Sequence, residues 1–409
     1  MTKNDDKRIP ALRFKGFNDD WAQRKLGDYI TVNKIKNKEN NHFIPYSISN
    51  KWGFIPQEKQ FGEGNTYSKT NKATNYIVEP NTFAYNPARI NVGSIAYQNN
   101  QFPVIVSSLY EIFKTKKNLN DKFLMNWFKT EKFTRQIQKL QEGGVRQYFF
   151  IDKMQESRIT IPFISEQEEI SKTLNQISNL IKLQQRKTEQ LKLLKKAMLQ
   201  KGFTNKSAPT LRFKGFSKAW TEYPLGNLGK ACSGYGFPNS EQGGNKGIPF
   251  YKVSDMNLAG NEDEMIYANN YVTDAQIDRN NWKPIVDVPA IFFAKVGAAV
   301  LLNRKRLCKR PFLLDNNTMA YSLNKNILST QFTKSLFETI NLPSFIQVGA
   351  LPSYNTNDIE SIKVKIPKID EQEKIGILLK KIERLITRQQ SKIKKLHSTK
   401  QFLLQNMFI

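Results

Sequence analysis

The chain of 409 residues is one unit written twice. Pro10-Ala-Leu-Arg-Phe-Lys-Gly-Phe17 returns as Pro209-Thr-Leu-Arg-Phe-Lys-Gly-Phe216, and at the same offset of 199 Trp21 matches Trp220 and Leu26-Gly27 matches Leu225-Gly226. At an offset of 205, Ile161-Pro162 matches Ile366-Pro367, and Glu166-Gln167-Glu168 matches Glu371-Gln372-Glu373. Each copy holds a leader, a variable block (about residues 30–160 and 230–365) and a long polar–apolar segment. A duplication of this kind demands two related bodies joined by related connectors.

The long segments predict helices. Ile170, Ile177, Gln184, Leu191 and Met198 fall seven apart, with Leu174 and Ile181 between them. The second copy repeats this with Ile375, Ile382, Gln389, Leu396 and Leu403, and with Leu379, Ile386 and Ile393. A seven-residue apolar stripe specifies a coiled-coil seam, and a polar residue in the seam, here Gln184 and Gln389, fixes register at some cost in stability. Ser165-x-x-Glu168 and Asp370-x-x-Glu373 read as capping boxes, and Gly202 as a C-terminal stop. The only obvious partner of matching length is the other copy. The linker after Lys201 is short, and the second block returns the chain to Asp370, so the two helices are expected to run antiparallel with the variable blocks at opposite ends.

The blocks read as mixed and strand-rich. Thr82–Tyr85, Val104–Val106 and Ala290–Ala294 are β-branched and aromatic runs bounded by Pro, Gly and Asn. Residues 121–140 have helical spacing. The expected fold class is α+β: two α/β domains separated by an antiparallel coiled coil of two long helices, with an internal pseudo-two-fold repeat.

Lys and Arg number 63 against 36 Asp and Glu, a formal charge of +27. That excess is the footprint of a polyanion binder, and it is spread along the chain rather than held in a tail. Charge alone leaves DNA, RNA and anionic membranes open as partners. No apolar run is long enough to span a bilayer, and the N-terminus has no apolar segment of the secretory kind. The two cysteines, Cys232 and Cys308, form no CxxC, which fits a reducing cytoplasm. His42 and His397 stand apart from any ligand cluster, so no metal site is expected.

Catalytic signatures are missing. There is no G-x-x-x-x-G-K-[ST] for ATP and no G-x-S-x-G. Asn86-Pro87-Ala88-Arg89 lacks the second proline and the aromatic that an adenine methyltransferase needs, and reads as a turn with a basic residue. No Glu-x-Lys occurs, and the single Asp-x-Lys is Asp5-Asp6-Lys7 in the leader. The expectation is a chain with no catalysis of its own.

Several features suit DNA. Arg304, Lys305, Arg306 and Arg310 form a dense basic cluster, either a solvated hairpin or a phosphate contact. Gly143-Gly144-Val145-Arg146-Gln147-Tyr148 precedes the closing strand of the first block, and Gly349-Ala350-Leu351-Pro352-Ser353-Tyr354-Asn355 stands at the matching place in the second. Glycines permit close approach, and Arg146, Gln147, Tyr148, Tyr354 and Asn355 are residue types that read base edges or phosphates. The bland alternative is an ordinary loop into a strand. Arg89 and Lys295 complete the candidate DNA-binding set.

The duplicated leaders, and the long helices opening on Pro-x-[Ile/Leu]-x-Glu-Gln-x-x-Ile or a close variant, resemble the specificity subunits of Type I restriction-modification enzymes. The resemblance covers essentially the whole chain, with Ala294-Lys295-Val296-Gly297 a weaker match. It implies target-recognition domains over 1–160 and, after a linker, within 204–365, and conserved spacer helices over 161–203 and 366–409. It implies a bipartite, asymmetric double-stranded DNA site, one half per domain. It further implies two methyltransferase (modification) subunits docked on the coiled coil, with restriction and translocase subunits binding in turn. The residues offered for docking are Ile170, Ile177, Gln184, Leu191, Ile375, Ile382, Gln389 and Leu396. S-adenosylmethionine, ATP and Mg are expected on those partners and none on this chain, in a cytoplasmic setting. Two rivals stand beside this reading: an adaptor joining protein partners, which does not explain +27, and a fused methyltransferase–specificity chain, which the missing motifs oppose.

Overall fold

A computed structural model describes residues 9–62, 72–143, 147–203, 208–346 and 352–409. They fall into two compact units, Met1–Gln185 with Ser391–Ile409, and Arg186–Gln390. Each long helix therefore contributes to both: Ile164–Gly202 (39 residues) and Ile369–Asn406 (38 residues) are each divided between the units.

The first unit is built on a four-stranded antiparallel sheet in the order Ile30–Val32, Glu111–Thr115, Thr82–Tyr85, Ile95–Gln98. Side chains alternate across a strand. Phe83, Tyr85 and Phe113 thus face one core with the helices, while Ala84, Ala96 and Ile112 face another with Tyr46, Ile48, Val78 and Val104. Burial on both faces explains why Thr82-Phe-Ala-Tyr85 is nearly continuously apolar. A smaller sheet (Ile35–Lys36, Tyr76–Val78, Val104–Val106) and the hairpin Tyr46–Ser49/Gly53–Pro56 cover the second face. Ala22–Lys25 pairs antiparallel with Arg158–Ile161, closing the block onto the start of the first long helix.

The second unit repeats the design. Its sheet runs Gly229–Ser233, Thr318–Leu323, Ala290–Ala294, Lys305–Cys308, and Thr221–Pro224 pairs with Lys363–Ile366. Ile291, Phe293 and Tyr321 face the helix side, and Ala290, Phe292 and Ala320 face the other. There the covering sheet is mixed: Ile248–Tyr251 pairs antiparallel with Tyr271–Val272 and parallel with Leu313–Leu314.

The repeated motifs are the joints. Arg13 meets Glu166 through two hydrogen bonds of 2.8 Å, and Arg212 meets Glu371 at 2.7 and 2.8 Å. Both carboxylates are almost fully buried. Gln167 accepts from Asn120 N and donates to Asn118 O and Pro162 O, while Gln372 accepts from Ser329 N and donates to Ile327 O and Pro367 O. Trp21 and Phe408 pack on Phe123 (6.1 and 4.9 Å between centroids), just as Trp220 and Phe203 pack on Phe332 (6.0 and 5.2 Å). Each fully buried ring of this kind contributes roughly 1.5–3 kcal/mol by leaving water.

The last contacts fix helix direction within each unit. In the first, Ile170 and Leu174 share a core with Leu403 and Met407. In the second, Met198 and Phe203 line a crevice with Ile375 and Leu379, and Lys195 reaches Glu383 at 2.6 Å. The end of one helix lies against the start of the other each time, so the pairing is antiparallel. The seam is apolar where expected at Ile170, Leu174, Ile181, Leu379 and Ile382, all buried.

Two local expectations do not hold. The helices begin at Ile164 and Ile369, which places Ser165 and Asp370 inside the first turn and leaves Glu168 and Glu373 exposed, so neither capping box forms. Residues 121–140 are two helices, Asp121–Trp127 and Glu131–Leu140, because Thr130 caps the second one.

Candidate nucleic-acid interface

In each unit the central strand ends in a turn on which the closing loop docks. After Thr82–Tyr85, the Asn86 side chain accepts from Ala88 N at 3.0 Å and Asn86 O accepts from Arg89 N at 3.0 Å. This side-chain-stabilised turn leaves Arg89 exposed. Phe149 N donates to Pro87 O at 3.1 Å, which brings Gln147 and Tyr148 alongside the turn. Gln147 is exposed. Tyr148 is half-buried and stacks on the exposed Phe150, with centroids 5.4 Å apart and planes within 5°. Gln147 and Tyr148 thus belong to the chain segment that meets the turn carrying Arg89. Arg146, with Gly144 and Val145, lies outside the described residues.

The second unit places Lys295 at the equivalent turn. Lys295 N donates to Asn317 O at 2.8 Å, Gly297 N donates to Pro352 O at 2.9 Å, and Val296 bridges Ser353. Gly297 sits at φ +80°, a conformation that disfavours any side chain there. Lys295 is half-exposed beside this joint. Tyr354 is not a surface reader: its ring is buried in the core, and its hydroxyl donates to Ala294 O. Burial holds that phenol well above its ordinary pKa, so it stays a neutral donor. Asn355 is exposed but its Oδ1 caps the following short helix, accepting from Asp358 N at 3.0 Å. This loop carries an anchor and a cap where the sequence suggested base-reading side chains.

The basic cluster also separates. Lys305 and Arg306 lie in the strand Lys305–Cys308 and point to opposite faces. Lys305 Nζ donates to Asn303 Oδ1 at 2.6 Å and Ile340 O at 2.7 Å, and burial lowers its pKa to about 8. Arg306 Nε donates to Asn261 O at 2.6 Å. Arg304 Nη1 donates to Asn257 Oδ1 at 2.7 Å. Arg310 is exposed. Three of the four cations are therefore engaged within the protein, and the strand sends Lys305 and Arg306 to opposite faces.

One surface feature escaped sequence reasoning. At the hairpin tip Asn50-Lys51-Trp52-Gly53, Trp52 is 66% exposed and the Lys51 ammonium lies 4.8 Å from its ring centroid. A large aromatic with a cation at a protruding turn is suited to a groove or sugar edge. The Asn and Gly flanking the tip, between two apolar runs, were the available signal.

On the long helices, Ile170 and Ile382 are buried, as is Gln184, while Ile177, Leu191, Ile375, Gln389 and Leu396 are half-buried. Gln389 Oε1 is shielded from water and has no hydrogen-bond partner among the described residues. Leu180 and Phe402 in the first unit, and Leu193, Leu194, Ile377 and Leu385 in the second, are exposed apolar side chains. No helix is long and apolar enough to cross a membrane, and no group of metal-ligating side chains occurs among the described residues.

A family model for the Type I restriction modification DNA specificity domain matches residues 18–193 and again 217–397. The chain is 23% identical over 401 residues to the Type I restriction enzyme MjaVIII specificity subunit of Methanocaldococcus jannaschii, covering 90% of this chain and 87% of that one. It is 24% identical over 410 residues to the putative type I restriction enzyme MjaX specificity subunit of the same organism, covering 90% and 88%. The fold superposes on the S subunit of a Type-I restriction-modification system from M. genitalium with a TM-score of 0.60 at 16% identity, covering 98% of this chain and 99% of that one. Matched twice over most of its length, the chain belongs to the Type I restriction-modification DNA specificity family, the recognition component of such systems and not the catalytic one.

Proposed function

We infer that this chain reads a bipartite, asymmetric double-stranded DNA site, one half per unit, and positions modification subunits over it. The observation that carries the reading is the contrast between joints and surfaces. The Arg–Glu, Gln and Trp–Phe–Phe joints are the same in both units. The side chains beside the equivalent turns differ: exposed Arg89 and Gln147 in one, half-exposed Lys295 in the other. One framework carrying two different surfaces is what two different half-sites require.

The two copies of the helix face, each with exposed leucines, suit two equivalent modification subunits, with restriction and translocase subunits joining them. S-adenosylmethionine, ATP and Mg belong to those subunits in this reading. Base flipping and methyl transfer fall to them, and the chain supplies placement.

The reading is tested by DNA binding of the assembled complex with one half-site scrambled at a time. Each scrambling should cut affinity, and log affinity should fall linearly with log salt concentration. Indifference to either half, with binding independent of salt, would favour the adaptor alternative.

A further inference from the structure

The pseudo-symmetry that repeats the joints is broken at one charged site. In the second unit Lys195 of the first long helix meets two carboxylates, Glu338 and Glu383, each at 2.6 Å. Glu383 also holds Lys334 at 2.8 Å, and Lys334 in turn pairs with Asp263. The site is charge-compensated by the chain itself.

The offset of 205 that relates the helices carries Lys195 onto Lys400 and Glu383 onto Ser178. The offset of 209 that carries Phe123 onto Phe332 and Phe128 onto Phe337 carries Lys129 onto Glu338. In the first unit, then, neither carboxylate is kept: the counterpart of Glu338 is Lys129, and that of Glu383 is Ser178, which spends its hydroxyl on Leu174 O at 2.7 Å. Lys182 joins Lys400 and Lys129. Lys129 and Lys182 are exposed and Lys400 half-buried. No ion pair reaches any of the three among the described residues. Surrounding protein, then the charges of Lys400 and Lys182, lowers the Lys129 pKa to about 8, and Lys400 is lowered in the same sense.

The geometry points to a carboxylate supplied in trans, from an acidic side chain of the modification subunit, seated among Lys129, Lys182 and Lys400 where the second unit uses its own Glu338. Two observations favour a carboxylate over a DNA phosphate. The equivalent position is built around carboxylates in this same chain. Two of the three lysines also lie on the long helices, which rests on the reading of those helices as the docking element. The asymmetry makes the two otherwise equivalent docking positions unequal, one needing an acidic contact and one not.

The test uses the full chain with the modification subunit of its own system and with duplex DNA. Lys129→Glu copies the residue that the second unit tolerates, so it should fold. It should raise the melting temperature of the isolated chain and weaken binding of one of two modification subunits by about tenfold at low salt. Lys129→Gln should do the same to a smaller degree, and DNA affinity of the isolated chain should not change. Loss of DNA affinity with assembly intact would overturn the proposal and assign the cluster to phosphate. Unchanged assembly and unchanged DNA binding would overturn it too, leaving a solvated cluster. Failure of the wild-type chain to bind the modification subunit at all would instead remove the docking reading itself.

Discussion

Lys305 and Arg306 are neighbours in the chain, and the strand they open sends one toward Ile340 O and the other toward Asn261 O. Adjacent charges in a sequence make a patch only when the backbone keeps them on one face, and a strand does the opposite. That is why the density of Arg304–Arg306 was misleading, and why the isolated Arg89 on its Asx-stabilised turn is the better phosphate candidate. Arg89→Ala should weaken DNA binding and reduce the salt slope by about one, with no change in melting temperature. Tyr354→Phe should do the reverse: it removes a buried hydrogen bond to Ala294 O and costs about 1 kcal/mol of stability, with DNA affinity nearly kept. Calorimetry and DNA titration on the two variants separate these roles. Lys305 adds a pH signature. Its pKa is about 8 in the folded chain and near 10.5 when unfolded, so between these values the unfolded state binds more protons and stability rises with pH. Wild type should therefore gain on Lys305→Met as pH goes from 8 to 10, and a constant difference in melting temperature would contradict the burial of this ammonium.

At the scale of elements, the joints matter more than the strands they join. Arg13 and Glu166 are 13% and 2% exposed at their side chains, so removing the arginine strands a buried carboxylate. Arg13→Ala should cost about 3 kcal/mol, as should Arg212→Ala in the other unit; a loss under about 0.5 kcal/mol would reduce them to surface pairs. The long helices were legible because a seven-residue stripe has few other meanings, and the strands Thr82–Tyr85, Val104–Val106 and Ala290–Ala294 because both faces of their sheets are buried. The break at Thr130 was hidden because apolar spacing persists across it. Glu166 and Gln167 stood out only as a repeated pair at the helix opening, and the structure turns them inward to the leader and to Asn120. The helices also carry a length prediction. Deleting 184–190 and 389–395 together removes one heptad from each, about 10 Å of rise. The tolerated gap between half-sites should shorten by about three base pairs, and an unchanged gap in methylation mapping would refute the spacing role.

For the whole molecule, one framework occurs twice with different exposed side chains, and the chain's +27 charge is shared along it. The family and the architecture were readable from the repeats, because buried joints leave the same residues in both copies. The candidate surface residues were only half readable. Arg89, Gln147 and Lys295 lie beside the joints, Tyr354 is an anchor, and Trp52 needed the hairpin to be seen. Surface side chains that differ between copies leave no internal pattern to read.

The most direct test is to map methyl-adenine in a host carrying this chain with its modification subunit, before and after exchanging residues 30–160 for the block of another family member. One bipartite motif, of which only one half changes on exchange, is the predicted result. A methylation pattern that is unaltered, or that changes in both halves, would contradict the assignment of one half-site to each unit.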